Sequence, residues 1–283
     1  MVVKSRLNKF QVNAQNTRIL KKAHRYIIGT LCIGVLLQWS VVDAYAEDDM
    51  VQIPKGHYTP LFKSDDGVKT VAVESFNIDK YPVTNSQFHN FTKQHTKWDK
   101  AGIKPVFSDS NYLKHFSDDV MDDIAAQPVT NVSWFAARAY CRSVNKRLPT
   151  ISEWEYVAKA SHNLADGSKE PEYKRQILEW YSKPNTVKLP NVHETQANYW
   201  QVYGMHGVVW ELVSDFNTAL VTGESRGDTQ LDKQLFCGAG AASSVDPGDY
   251  AAFMRYAMRS SYSAHYTVES LGFRCASDVK DKL

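Results

Sequence analysis

Cysteine is scarce in this chain, with four among 283 residues. No C-x-x-C pair and no H-E-x-x-H run occurs, which leaves no standard zinc site to build on. Glycine (14) and proline (10) are too few for a collagen or a low-complexity chain, and a hydrophobic share of 43% is too high for a disordered one. Beyond the first 46 residues no stretch could span a bilayer, so a multi-pass membrane protein is excluded. A strong net charge is also missing: 33 Lys+Arg meet 31 Asp+Glu. Even that balance hides an asymmetry. Residues 1–46 hold seven basic residues and one acid, Asp43, leaving 26 basic and 30 acidic residues in the remainder. A domain near −4 carries no footprint for nucleic acid or anionic lipid.

What the N-terminus does contain is an export pattern. Lys21, Lys22 and Arg25 precede an apolar run from Tyr26 to Val42, broken by Gln38, and Ala44-Tyr45-Ala46 follows with acidic Glu47 behind it. A basic n-region, an apolar h-region and an A-x-A site predict a signal peptide over 1–46, cleaved after Ala46, and a single exported domain over 47–283. The alternative is an uncleaved membrane anchor. Export changes the meaning of the thiols. Cys32 leaves with the signal, and Cys141, Cys237 and Cys275 remain. Exported thiols tend to pair, so one of the three is left over, and the sequence leaves open which.

Within the domain, Val51-Gln52-Ile53-Pro54 reads as a short strand, and residues 70–78 alternate like one half-buried strand. Thr84-Asn85-Ser86-Gln87 is a capping box that predicts a helix through Phe88 and Phe91. Residues 97–130 read as irregular. Their acidic patch (Asp118, Asp119, Asp122, Asp123) is either a calcium site or a solvated loop. Ser133 starts a helix from Trp134 to about Asn145, with Phe135, Ala139 and Tyr140 on one side and Arg138 and Arg142 on another. Leu148-Pro149 breaks it. A second capping box, Thr150 to Glu153, opens a helix carrying Trp154, Tyr156 and Val157. After that the chain reads as loop-rich, with aromatics filling the core. The class is α+β.

Several segments together resemble one family. They are Met50-Val51-Gln52-Ile53-Pro54-Lys55-Gly56, Tyr81-Pro82-Val83-Thr84-Asn85, Pro128 to Trp134 with Ala139-Tyr140-Cys141, Lys146-Arg147-Leu148-Pro149-Thr150 with Glu153-Trp154-Glu155-Tyr156, Gly207-Val208-Val209-Trp210-Glu211, and Leu271-Gly272-Phe273-Arg274-Cys275. In this order they are similar to the formylglycine-generating enzymes, or sulfatase-modifying factors. The resemblance implies one domain of the C-type-lectin-like fold this family has adapted, and a disulfide between Cys141 and Cys275, leaving Cys237 free. It also implies an oxidase that uses O2 and Cu(I), held by two cysteines five residues apart, to convert a sulfatase cysteine to formylglycine.

Here the chain departs from its pattern. Counting back from Arg255-Tyr256-Ala257-Met258-Arg259-Ser260 puts the two thiolate positions at about Asp246 and Ala251, and no cysteine lies between 238 and 274. Cu(I) is soft and needs sulfur, which a carboxylate and a methyl group do not supply. The family's calcium-binding Asn before V-W-E is Val208, which cannot ligate a hard cation. Asn198-Tyr199-Trp200 resembles a segment near another calcium site but lacks the insertion that normally follows.

A narrower resemblance covers about 215–275. Asp215 to Arg226, Leu235 to Ala241 and Asp249 to Tyr256 are similar to the NirV subgroup, exported proteins found beside copper nitrite reductases in denitrifying bacteria. This implies a periplasmic accessory role and a protein or peptide partner, with copper nitrite reductase as client. Three function classes follow: an accessory or maturation factor, an oxidase or copper-handling enzyme with a rebuilt site, and a formylglycine-generating enzyme of the original type. Cys237, beside Gly238-Ala239-Gly240, is the candidate catalytic thiol. Met254, Met258 and His206 are its candidate soft partners for copper. The alternative is a buried cysteine with methionines filling core gaps. Trp210, Glu211, Asp215, Arg226, Asp246, Arg255 and Arg259 are candidates to line a binding groove; the arginines also suit structural pairing with carboxylates. His265 is a weaker candidate. Asn90 and Asn131 head N-x-S/T triplets that chance explains.

Overall fold

The computed structural model describes residues 49–61, 70–117, 120–182, 188–216 and 249–279. The chain opens with β1 (Met50–Ile53), β2 (Gly56–Tyr58), β3 (Val71–Val73) and β4 (Phe76–Asp79). Helices α1 (Asn85–Gln94), α2 (Met121–Ile124), α3 (Trp134–Ser143), α4 (Ile151–Ala158) and α5 (Pro171–Ser182) follow. The C-terminal part holds β5 (Trp210–Glu211), α6 (Tyr250–Ser261), β6 (Leu271–Gly272) and β7 (Ala276–Asp278). Strands are short, and much of the chain between them is irregular. The signal segment predicted over 1–46 lies outside the described residues. Among the described residues no helix is long and apolar enough to cross a membrane.

β4 is the centre of a three-stranded antiparallel sheet of order β1-β4-β7, so the first and last strands of the domain flank the same neighbour. β2 and β3 form a separate antiparallel pair, and β5 and β6 a parallel one. The single strand expected over 70–78 is therefore two strands serving two ladders. The break falls at Glu74-Ser75, where the Ser75 hydroxyl donates to the Ile53 carbonyl at 3.0 Å and competes with the backbone ladder. Beyond it Phe76 and Ile78 are buried, as the alternation requires.

Both capping boxes form as read. Thr84 Oγ1 accepts from the Gln87 amide (3.2 Å) while Gln87 Oε1 accepts from the Thr84 amide (2.8 Å). Thr150 and Glu153 repeat the exchange at the start of α4. Helix α3 starts at Ser133, but it ends at Ser143, and Asn145 turns back in the left-handed region (φ 57°). Its core stripe is Ala136, Ala137, Tyr140 and Cys141 rather than the expected Phe135 and Ala139, which are half-buried. Two alanines bring the helix axis close to the core, and Phe135 is left to pack edge-on against Phe107. In α4, Trp154 through Ala158 are all buried, so this helix is enclosed all round.

The loop-rich reading after α4 missed two twelve-residue helices, α5 and α6. Both left signals in the sequence. Pro171 sits at the first helical position of α5, where its missing N–H costs nothing. Glu172, Arg175 and Glu179 then pair at helical spacing. In α6, Asp249 caps the Ala252 amide at 2.9 Å.

Among the described residues two apolar clusters make the core. One gathers Phe88, Phe91, Tyr140 and Phe273; the other gathers Ile53, Phe76, Ile78, Trp154 and Val157. The Cys141–Cys275 disulfide that the resemblance implied is present, with its Cα atoms 5.6 Å apart, and ties α3 to the residue before β7. Beside it Asp79 binds the Lys146 ammonium at 2.6 Å and accepts from the Cys275 amide at 2.9 Å.

Candidate functional site: the helix α6 arginines and the cavity beside α5

Arg255 and Arg259 lie one helical turn apart on α6, so both side chains leave from one face. They converge on a single acceptor, Glu155 of α4. The Arg255 Nε and Nη2 groups reach its carboxylate at 2.9 and 2.7 Å, and Arg259 Nη1 reaches it at 2.5 Å. All three side chains are buried. Burial pushes the Glu155 carboxyl up, but the Arg255 and Arg259 guanidiniums outweigh it and hold it down at about 2. The carboxylate is therefore ionised and fully occupied, and it cannot serve as a general base. Rings close the surroundings. Both guanidinium carbons lie over the Trp154 ring, at 5.7 and 4.9 Å, and Arg255 Nη1 donates to the Tyr181 hydroxyl at 3.2 Å. Burial raises the phenols of Tyr58, Tyr173 and Tyr181 above their ordinary range, which keeps them protonated.

The other expected groove residues are placed as follows. Glu211 is buried and bound to Arg274, whose side chain is 0% exposed. Every N–H of that guanidinium is spent: on Glu211 (2.7 and 2.8 Å), on the Asp79 and Lys80 carbonyls (3.1 Å each) and on the Tyr203 carbonyl (2.8 Å). Trp154 Nε1 donates to the same Glu211 carboxylate at 2.7 Å. This knot is internal and presents nothing to a ligand. Trp210 is half-buried and stacked on Tyr181, with centroids 4.9 Å apart and planes 11° apart. Asp215 Oδ1 accepts the Ile151 amide at 2.7 Å at the mouth of α4. Arg226, Asp246 and Cys237 lie outside the described residues.

The candidate copper partners scatter by role. Met258 packs against the first core cluster and Met254 is half-buried on the same helix. His206 belongs to another feature, a cavity of about 440 Å³ between α5 and the loop of residues 195–208. Its Nε2 bonds the Ala158 carbonyl at 2.9 Å, and burial, helped by Arg255, lowers its basicity to about 4. His265 stacks edge-on with Tyr266. Among the described residues no three His, Cys, Asp or Glu side chains come together as a metal nest.

The metals implied by resemblance do not fit the residues present. Ala251, at one of the two thiolate positions, is a buried methyl in the first turn of α6. Val208 is likewise buried and apolar. Asn198 has no valence left for a cation: its Oδ1 accepts the Trp200 and Val202 amides (3.0 and 3.1 Å) and its Nδ2 donates to the Val157 carbonyl (2.9 Å). Asp122 and Asp123 are exposed in the first turn of α2, while Asp118 and Asp119 lie outside the described residues.

Sequence reasoning overlooked Glu155, although it stands in the Glu153-Trp154-Glu155-Tyr156 segment. A carboxylate between Trp154 and Tyr156 in an aromatic segment is a hint of a buried acid, but its partners on α6 are set by tertiary packing. The Tyr58, Tyr173 and Tyr181 phenols around it had no such marker.

Residues 40–279 match the family described as the sulfatase-modifying factor enzyme 1-like domain. The formylglycine-generating enzyme of Streptomyces coelicolor is 30% identical, over 75% of this chain and 81% of that one. The protein of Bos taurus named inactive C-alpha-formylglycine-generating enzyme 2 is 28% identical, over 81% of this chain and 88% of that one. Among solved structures, CarF aligns with a TM-score of 0.47 at 16% identity, over 82% of this chain and 98% of its own. The family match spans nearly all of the domain, and it includes both capping boxes, the Glu211–Arg274 knot and the disulfide. The chain belongs to the sulfatase-modifying factor enzyme 1-like domain family and has that family's single-domain fold of mixed helices and strands.

Proposed function

We propose that this protein is an exported, non-catalytic member of the family that serves as an accessory or maturation factor, with periplasmic copper nitrite reductase or its copper supply as the client. One observation carries the non-catalytic reading. The sequence has no cysteine between 238 and 274, and Ala251 places a buried methyl where a thiolate is needed. A Cu(I)-dithiolate oxidant has no donors there. The arginine cluster supports the same reading, because the one Glu155 carboxylate is spent on Arg255 and Arg259 and leaves no free base among them. A relative of similar length carrying the name "inactive" is consistent with loss of the chemistry on a retained fold. The client is inferred from the likeness of residues 215–275 to the NirV subgroup.

Two measurements test the two parts separately. Purified protein incubated with a sulfatase-derived cysteine peptide, Cu(I) and O2 is expected to leave the thiol unchanged by mass spectrometry; loss of the thiol to an aldehyde overturns the non-catalytic reading. Deleting the gene is expected to lower the copper content and activity of periplasmic nitrite reductase, with wild-type levels of both rejecting the client. Stoichiometric copper in the purified protein that disappears in Cys237→Ala would instead favour a copper-handling site at that thiol.

A further inference from the structure

The cavity beside α5 has no part in the proposal above, and its walls have the composition of a small-molecule site. Its floor is apolar and buried (Ile177, Val202, Met205, Val208), and its rim is polar and exposed (His162, Gln176, Gln196). At about 440 Å³ it falls within the ordinary size range of ligand pockets. Among the described residues, no Asp, Glu, Lys or Arg lines it. An ionised ligand would lose its hydration there and find no countercharge, so the site discriminates against charge of either sign.

The walls are held rigidly. The Tyr173 hydroxyl and His206 Nε2 both donate to the Ala158 carbonyl, which fixes both rings. Trp180 is braced by Tyr181 and Trp210, with centroids at 4.9 and 5.4 Å. Gly207 adopts φ +91°, and a side chain there would project toward Trp180 Cδ1, 4.0 Å from its β-carbon. The turn thus requires glycine and keeps that wall open. The tautomer of His206 follows from its partner. A carbonyl only accepts, so the proton sits on Nε2, and Nδ1 carries a lone pair. That Nδ1 is buried and has no partner among the described residues.

We infer that this cavity binds a small uncharged molecule with a flat ring, the ring packing against Trp180 and Tyr173. This is a binding site separate from the Glu155 arginine cluster.

The test uses the intact protein and ligand-observed saturation-transfer NMR with phenol, indole and nicotinamide as neutral probes, and benzoate and benzylamine as charged controls. At least one neutral probe is expected to bind saturably, with both charged controls at least tenfold weaker. Gln196→Trp and Gln176→Trp fill the mouth from opposite sides at exposed positions and therefore leave folding intact. Each is expected to weaken the bound probe tenfold or more, with an unchanged circular dichroism spectrum. Absence of saturable binding by every neutral probe, binding of the charged controls with equal strength, or binding unchanged in both variants overturns the inference.

Discussion

Neutralising Glu155 is the sharpest perturbation the structure offers. Glu155→Gln keeps the shape of the side chain and removes the only negative charge that, among the described residues, is bonded to the two buried guanidiniums, each less than one-tenth exposed. A buried pair stripped of one partner loses ~3–5 kcal/mol, because the remaining charge has neither water nor counterion. Against a total stability of ~5–15 kcal/mol that is a large fraction. For a domain of this size each kcal/mol moves the melting temperature by ~2–4 °C, so the expected drop is ~6–20 °C. A companion variant separates charge from packing. Glu155→Leu with Arg255→Met and Arg259→Leu removes all three charges together, and apolar replacement of a buried ion cluster is often neutral or stabilising by ~1–4 kcal/mol. It should therefore recover most of the loss. The assay is thermal denaturation followed by circular dichroism near neutral pH, with the disulfide intact in every sample. A Glu155→Gln protein melting within about 2 °C of wild type, or a triple variant no more stable than the single one, would refute the reasoning.

Four other outcomes follow from the same geometry. Arg274→Lys offers three donors where five are used, and should cost more than the ~1 kcal/mol on which point substitutions centre, read as a fall in urea midpoint or loss of soluble protein. Gly272→Ala would set a β-carbon 2.6 Å from the Val129 carbonyl oxygen, on backbone that cannot swing aside, and should lower the melting temperature even though the change adds one methyl. Replacing both Cys141 and Cys275 with Ser removes a bridge across 134 residues. The loop-entropy model puts that loss at about 5 kcal/mol, measurable as a shift in urea midpoint. Acid should act in two stages. Burial, helped by Lys100 and Lys114, lowers His115 to about 4, and His206 is likewise near 4. Their folded values lie below the unfolded one, so the unfolded chain takes up protons first, and stability falls between about pH 6.5 and 4. Glu155, depressed to about 2, adds a further fall below about 4.5 as its carboxylate is protonated. His115→Gln should flatten the upper stage, and a slope unchanged in that variant would exclude His115 as a source.

Local signals were the most legible part of the sequence. The capping boxes at Thr84 and Thr150 and the Ser133 cap are short-range hydrogen-bond patterns, and each appears at its expected place. The 70–78 run misled because alternation reports which face is buried and carries nothing about which ladder a residue joins. Helices α5 and α6 were overlooked because their buried positions do not read as an apolar stripe: α5 buries one side chain, Ile177, and α6 buries Ala251 with two charged residues, Arg255 and Arg259. At the site, two arginines at helical spacing were visible, yet their partner Glu155 lies 100 and 104 residues away in the chain. A pairing over that distance is set by tertiary packing, which no local pattern encodes. The cavity beside α5 joins three separate segments for the same reason.

The arrangement of β7 has a consequence for how the molecule is completed. The last nine described residues supply an outer strand of the main sheet, the guanidinium that knots Glu211 to three carbonyls, and one half of the disulfide. Assembly must therefore wait for the tail, since long-range contacts of this kind form only after the chain between them has been ordered. A copy stopped short of Arg274 forfeits all three fastenings at once.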